Sequence, residues 1–227
     1  MQINYIGHAT FELVEGTARV LIDPFLAPHN PTAQVSADDV EPTHILLTHG
    51  HGDHCADAVG VAKRTGAECV AIVELARWLE HKGVEKTVDP NLGGTVSFDW
   101  GSVTLVPAWH TNTTDGGFAI GTAAGLIVRI GGHTIYHAGD TCLFGDMKLI
   151  GERQDPDIAI VPIGGHFTMD RHDAAYACGL IGAETVIPCH YNTFPKIETD
   201  AEAFKAEVES ETPSKVVVLA PGESHDC

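Results

Sequence analysis

The segment Thr48-His49-Gly50-His51-Gly52-Asp53-His54 constrains this chain more than any other. It follows the apolar run His44-Ile45-Leu46-Leu47-Thr48, which reads as a buried strand. In an extended turn side chains alternate, so His49, His51 and Asp53 point to one side. Gly50 and Gly52 free the backbone to bend around a small ion. His54, at the entry to a helix, can face a neighbouring position. Three imidazoles and a carboxylate within six residues suit zinc, manganese or iron. The competing reading is a histidine-rich surface loop in which Asp53 is only a helix N-cap. A cap needs no histidines, so the density of donors after a buried strand favours metal binding.

Three further segments share one pattern, an apolar strand that runs into a ligand-type residue. Val103–Trp109 runs into His110, Thr134–Gly139 into Asp140, and Val186–Cys189 into His190. Strand ends are rigid platforms, and several can converge at one sheet edge. Taken singly, each is an ordinary strand-end histidine or turn aspartate; the weight lies in their combination with the first cluster.

The rest of the chain alternates between strands and helices. Strands are expected at Gln2–Ile6, Thr10–Glu15 and Ala18–Ile22, with a hairpin turn at Glu15-Gly16-Thr17. A helix over Cys55–Arg64, a strand at Cys69–Val73 and a helix over Glu74–Lys82 follow. Strands are then expected at Thr95–Trp100, Val103–Ala108, Gly117–Ile120, Leu126–Ile130 and Thr134–Tyr136, with Gly131-Gly132 as a tight turn. The last third pairs helices near Met147–Glu152, His172–Ile181 and Ala201–Glu209 with strands Ile158–Val161, Thr185–Ile187 and Lys215–Leu219. No low-complexity linker divides the chain, so residues 1–227 are expected to form a single domain of sheets covered by helices.

Composition narrows the function classes. The 14 histidines outnumber the 13 lysines and arginines together, and histidine is the commonest metal ligand. The formal charge of −18 disfavours nucleic acid as a partner, although bound cations leave room for an anionic small molecule. No apolar run is long enough to cross a bilayer, and the first residues lack the pattern of a secretory signal. A cytoplasmic location is therefore the expectation, and the six scattered cysteines are expected to be free thiols.

The order His49-x-His51-x-Asp53-His54, His110, Asp140, His190 resembles the metallo-β-lactamase superfamily. Flanking text narrows the likeness: Gly7-His8-Ala9-Thr10, Tyr136-His137-Ala138-Gly139-Asp140-Thr141, Phe144-Gly145-Asp146-Met147, Pro162-Ile163-Gly164-Gly165 and His190-Tyr191-Asn192-Thr193-Phe194-Pro195. These resemble a family of metal-dependent hydrolases that is itself similar to the ascorbate-6-phosphate lactonases. The resemblance covers nearly the whole chain. It implies an α/β fold, a four-layer αββα sandwich, with two divalent metal ions at one edge. His49, His51 and His110 would hold the first ion and Asp53, His54 and His190 the second, with Asp140 bridging. Asp23, in Leu21-Ile22-Asp23-Pro24, matches the superfamily's early aspartate, which orients a ligand imidazole; its plainer role is an Asp-Pro turn. One departure stands out: His166 follows Pro-Ile-Gly-Gly where asparagine is expected.

The chemistry so implied is hydrolysis by a metal-bridging hydroxide that attacks an ester, lactone or phosphoester bond of a small molecule. Asp53 would relay the proton. Tyr191, His166 and His8 are candidates to donate hydrogen bonds to substrate; for His8 the structural role beneath the site is favoured, and for Tyr191 and His166 the ordinary and functional readings are even. The rivals are a phosphodiesterase or nuclease on the same scaffold, a non-catalytic metal-dependent binding or sensor module, and a cysteine enzyme using Cys55 or Cys189. All seven ligand positions are filled, which favours an enzyme. Sequence neighbours on a strand point apart, which disfavours thiol catalysis. Homo-oligomerisation is left open.

Overall fold

Two seven-stranded sheets carry the chain in this computed structural model, which describes residues 1–227. The first sheet uses Gln2–Gly7 (β1), Thr10–Glu15 (β2), Ala18–Ile22 (β3), His44–Leu46 (β4), Glu68–Val70 (β5) and Thr87–Val88 (β6). The second uses Thr95–Phe98 (β7), Gly101–Pro107 (β8), Ala124–Ile130 (β9), His133–His137 (β10), Ile158–Pro162 (β11), Thr185–Cys189 (β12) and Lys215–Val216 (β13). The terminal Ser224–Asp226 (β14) crosses back to pair with β1. Strand order is β14-β1-β2-β3-β4-β5-β6 in one sheet and β13-β12-β11-β10-β9-β8-β7 in the other. Each sheet opens as an antiparallel meander and continues as parallel strands, from β3 to β6 and from β10 to β13.

Side-chain alternation divides the second sheet between two cores. Leu126, Val128, Ile135, Ile158, Ile160 and Ile187 join the large cluster shared with the first sheet. Their neighbours Ile127, Tyr136, Ala159, Val161 and Val186 face the other way, toward Met147–Gln154 (α4), Arg171–Ile181 (α5) and Ala201–Glu211 (α6). Ala58–Thr65 (α2) and Val73–His81 (α3) cover the first sheet with Val61, Leu75 and Leu79. Because both faces are covered, the strands read as continuous apolar runs. The result is the αββα sandwich expected. No helix is long and apolar enough to cross a membrane.

Four details differ from the sequence reading, and each has a local cause. The single helix expected over Cys55–Arg64 is a short turn, Gly52–Cys55 (α1), followed by α2. Asp57 interrupts it, because its carboxylate accepts from Leu26 N at 2.7 Å and meets His29 Nδ1 at 2.9 Å. The strand expected at Gly117–Ile120 is reduced to one bridge, Thr113 with Ala119. Gly117 and Gly121 turn the backbone through positive φ on either side, and the Asn112 side chain takes the carbonyls of Ile120 and Thr122. The strand Lys215–Leu219 stops at Val216, since the chain there leaves for the first sheet to form β14. The strand Cys69–Val73 is shorter, Glu68–Val70, because Val73 already opens α3. Strands β6 and β14 have no apolar pattern that would announce them.

Candidate metal centre

Every expected ligand leaves the end of a strand. The segment after β4 carries His49, His51, Asp53 and His54; β8 leads to His110, β10 to Asp140, β12 to His190 and β3 to Asp23. Parallel pairing of β10, β11 and β12 sets their C-terminal ends side by side, where open α/β sheets gather binding residues. The first sheet's contribution includes His8, on the turn between β1 and β2. Cross-sheet hydrogen bonds hold the two edges together: His190 N donates to His8 O at 2.7 Å and Ala124 N to Thr48 O at 2.9 Å.

The backbone is bent to make this edge. His8, Asp23, His166 and His190 all have φ between 46° and 59°. Non-glycine residues with positive φ are uncommon and costly, roughly 1–3 kcal/mol each, and they gather at functional sites. The Asp23 bend is pinned by Thr10, whose hydroxyl donates to Asp23 O at 2.6 Å and accepts from Phe25 N at 3.1 Å. Gly50 and Gly52 sit under side-chain tips: a Cβ on Gly50 would displace the end of Ile120, and one on Gly52, 2.6 Å from Asp115 Oδ1, would displace that carboxylate.

The donor atoms fall into two groups around Asp140. His49, His51 and His110 form one, with ligand atoms within 4.8 Å of one another. His8, Asp53, His54 and His190 form the other. Asp140 stands between them: Oδ2 is 3.5 Å from His110 Nε2, 4.0 Å from His49 Nε2 and 3.1 Å from His190 Nε2, while Oδ1 is 3.3 Å from His54 Nε2. All seven residues named from the sequence are thus brought together.

Hydrogen bonds behind the imidazoles fix which nitrogen faces inward. Asp23 Oδ2 accepts from His54 Nδ1 at 2.8 Å, leaving His54 Nε2 toward Asp140. The Thr48 hydroxyl donates to Asp23 Oδ2 at 2.6 Å, so it can only accept from His49 Nδ1, 3.0 Å away. His49 Nε2 is therefore a bare lone pair. It lies 3.0 Å from His51 Nδ1, from which it can accept a hydrogen bond in the metal-free protein. Asp23 accordingly orients one imidazole in each group, through Thr48 in one case and directly in the other, as carboxylates behind metal-binding histidines do. Its third bond is from Thr48 N at 2.8 Å.

Satisfaction of the buried polar atoms is the test of whether cations fit. Six buried side-chain atoms lack a hydrogen-bond partner, and three of them meet here: His54 Nε2, Asp140 Oδ1 and His190 Nε2. Buried polar groups are rarely left so, and a metal ion satisfies such atoms. Charge tells the same story. Burial alone would lower His190 and His54, yet Asp140 and its fellow carboxylates outweigh it, raising His190 to about 9 and His54 well above its ordinary value. Burial likewise opposes ionisation of Asp140, but the neighbouring imidazoles hold its carboxyl well below the usual range. Burial wins at His49, held well below its ordinary value, and at His8, lowered to about 4. The pocket demands positive charge, and without metal two protonated histidines must supply it.

The superfamily's domain profile, described as the beta-lactamase superfamily domain, matches residues 18–191. The chain belongs to that superfamily. Within it, the chain is 49% identical over 230 residues to a UPF0173 metal-dependent hydrolase of Methanopyrus kandleri, an alignment covering 100% of both chains. It therefore belongs to the UPF0173 family. Igni18, a metallo hydrolase from Ignicoccus hospitalis, superposes with a TM-score of 0.90 at 36% identity, over 99% of this chain and 97% of that one. An isothiocyanate hydrolase from Delia radicum gut bacteria shares the fold, with a TM-score of 0.78 at 23% identity over 100% and 99% of the two chains.

The other nominated residues of this UPF0173 chain have mixed placements. His8 is fully buried, with Nε2 3.1 Å from Asp53 Oδ2 and Nδ1 2.9 Å from Thr193 Oγ1, so it steadies Asp53 from beneath. His166 is exposed on the loop after β11, its ring edge-on to Phe167 at 4.4 Å. Tyr191 is a correction. It lines a cavity of about 1070 Å³ with Tyr5, Asn192 and Glu202, whose lining includes no member of the metal cluster. β12 ends at Cys189 and the backbone bends at His190, at φ 55°, so Tyr191 packs beside the second core instead. Sequence reasoning missed Thr48, Thr193 and Asn112, whose Oδ1 accepts from Gly50 N at 2.9 Å and holds the ligand loop. Only their adjacency to ligands hinted at them; the direction of a hydroxyl or amide is not legible in a sequence.

Proposed function

We propose that this protein is a dinuclear metal-dependent hydrolase of small molecules, acting on ester, lactone or phosphoester bonds. His49, His51 and His110 would hold one divalent ion and Asp53, His54 and His190 the other, with Asp140 available to both. The observation that carries this reading is the meeting of three buried atoms without hydrogen-bond partners, His54 Nε2, His190 Nε2 and Asp140 Oδ1. Zinc, manganese and iron all suit such a mixed imidazole and carboxylate set. Held by these residues, such cations would supply Lewis acidity and would bring the pKa of a bound water to about 7.

The chain's own groups supply the rest. Asp140, 3% exposed, is enclosed and stays ionised. Asp53 is 32% exposed, so it is the carboxylate open enough to take a proton and pass it to a leaving group. His8 and Thr193 fix its orientation from beneath. The name carried by the relatives, metal-dependent hydrolase, agrees with this chemistry. The test is metal content per chain together with turnover of phenyl esters, lactones and phosphodiesters with and without chelator. Activity that survives both metal removal and Asp140→Ala contradicts the proposal.

A further inference from the structure

The loop after β11 is anchored beside two of the expected ligands, His190 and Asp140. At one end Gly164 packs so tightly on His190 O that no Cβ fits. At the other, Met169 N donates to Thr141 O at 3.0 Å, beside Asp140, and Gly165 N closes the loop on Met169 O at 2.9 Å. His166, Phe167 and Thr168 therefore sit at the rim between Asp140 and His190. Phe167 is 50% exposed. A lone exposed phenylalanine would mean little, but this one is covered on one side by the Lys196 ammonium, 5.8 Å from its ring centroid. Lys196 comes from the short helix Pro195–Ile197, which follows His190.

Charge makes Lys196 distinctive. The segments around the ligands, residues 48–57, 108–123, 138–146, 163–170 and 190–199, contain no other lysine or arginine. In a chain of net charge −18, this ammonium pairs with no carboxylate and rests only on an aromatic face. An exposed cation–π contact is weak, about 0.5–1 kcal/mol in general, so an incoming anion would draw the ammonium away readily. The rim thus offers one apolar face and one cation side by side.

We propose that Phe167 and Lys196 form a substrate subsite that selects small molecules carrying an aromatic or apolar group next to a carboxylate or phosphate. The assignment rests on the metal-centre reading above, because it takes the loop's two anchor points to define the rim of that centre. Phe167 packs the apolar group and Lys196 pairs the anion, while the labile bond lies toward Asp140.

Phenylphosphonate and methylphosphonate are suitable probes, titrated calorimetrically into zinc-loaded protein whose metal content is measured in each sample. Phenylphosphonate is expected to bind about 10-fold more tightly than methylphosphonate, the margin one buried aromatic contact supplies. Phe167→Ala is expected to erase that difference, and Lys196→Met to weaken both ligands about 10-fold, as loss of a charge-assisted contact does. Both side chains are exposed, so circular dichroism and zinc content should be unchanged in the variants. Wild-type affinities in both variants, or a zinc-replete wild type that does not prefer the phenyl ligand, would overturn the subsite and leave the metal centre standing. A wild type that holds no zinc overturns the metal-centre reading itself, which the metal analysis registers separately.

Discussion

Substituting Asp23→Asn isolates what this residue contributes. Asparagine tolerates the left-handed backbone that Asp23 adopts, at φ 46°, so the turn survives. Its single amide oxygen can serve Thr48 N or the Oδ2 position but not both, and where it serves Thr48 N a donor replaces the other carboxylate oxygen. That donor faces two groups that now donate, the Thr48 hydroxyl at 2.6 Å and His54 Nδ1 at 2.8 Å. His54 can accommodate it only by moving its proton to Nε2, the nitrogen that faces Asp140. Thr48 can do so only by donating elsewhere, which releases His49. Loss of such an orienting partner typically weakens metal binding 10–100-fold, or about 1.4–2.7 kcal/mol, and here both positions should suffer. The fully buried mismatch should also lower the stability of the metal-free fold by about 1–3 kcal/mol. Competition with a chromogenic chelator measures the first effect and urea denaturation the second. Thr48→Val should weaken only the His49, His51 and His110 position. Two zinc ions bound at wild-type affinity by Asp23→Asn would refute the tautomer argument and leave Asp23 as a turn residue.

Other substitutions and conditions probe the same physics. His190 is raised from 6.5 to about 9, so its proton stabilises the metal-free fold fully below about 6.5, and that stability is lost as pH climbs through about 9. The loss is on the order of 3 kcal/mol, readable as a falling urea midpoint in chelator-treated protein; His190→Gln should flatten the slope. Zinc must displace that proton, so its affinity should rise with pH over the same window, as a competition titration at several pH values would show. The Tyr136 hydroxyl is buried without a partner, and burial pushes its pKa well above the ordinary value; Tyr136→Phe should therefore leave thermal stability unchanged or raise it by about 1 kcal/mol, and a clear loss would reveal a partner. Asn112→Ala removes three hydrogen bonds at a buried position and should weaken zinc binding by the His49 group more than it lowers the melting temperature.

Much of the sandwich was legible because continuous apolar runs such as Ile158–Val161 can satisfy two cores only between two layers. The ligand set was legible because imidazoles and carboxylates at strand ends have few other uses in such density. What stayed hidden depends on side-chain direction or on competition for backbone groups. Nothing in the letters around Asp57 says that it will cap Leu26 rather than continue a helix. Residues 117–120 alternate as a strand should, yet Asn112 takes the carbonyls a ladder would need. Tyr191 drew attention by standing next to His190, but the backbone bend at His190 is not written in the letters, and Tyr191 packs beside the second core.

The centre takes parts from residue 8 to residue 190, and its earliest dense cluster lies at 49–54. During synthesis those four donors leave the ribosome long before Asp140 and His190 exist. A growing chain therefore exposes a grasping half-site to whatever ions the cell offers, and only after most of the polypeptide has been made can selection among them begin. Loading is in this sense a late event in the protein's life, a seal set once both halves have met.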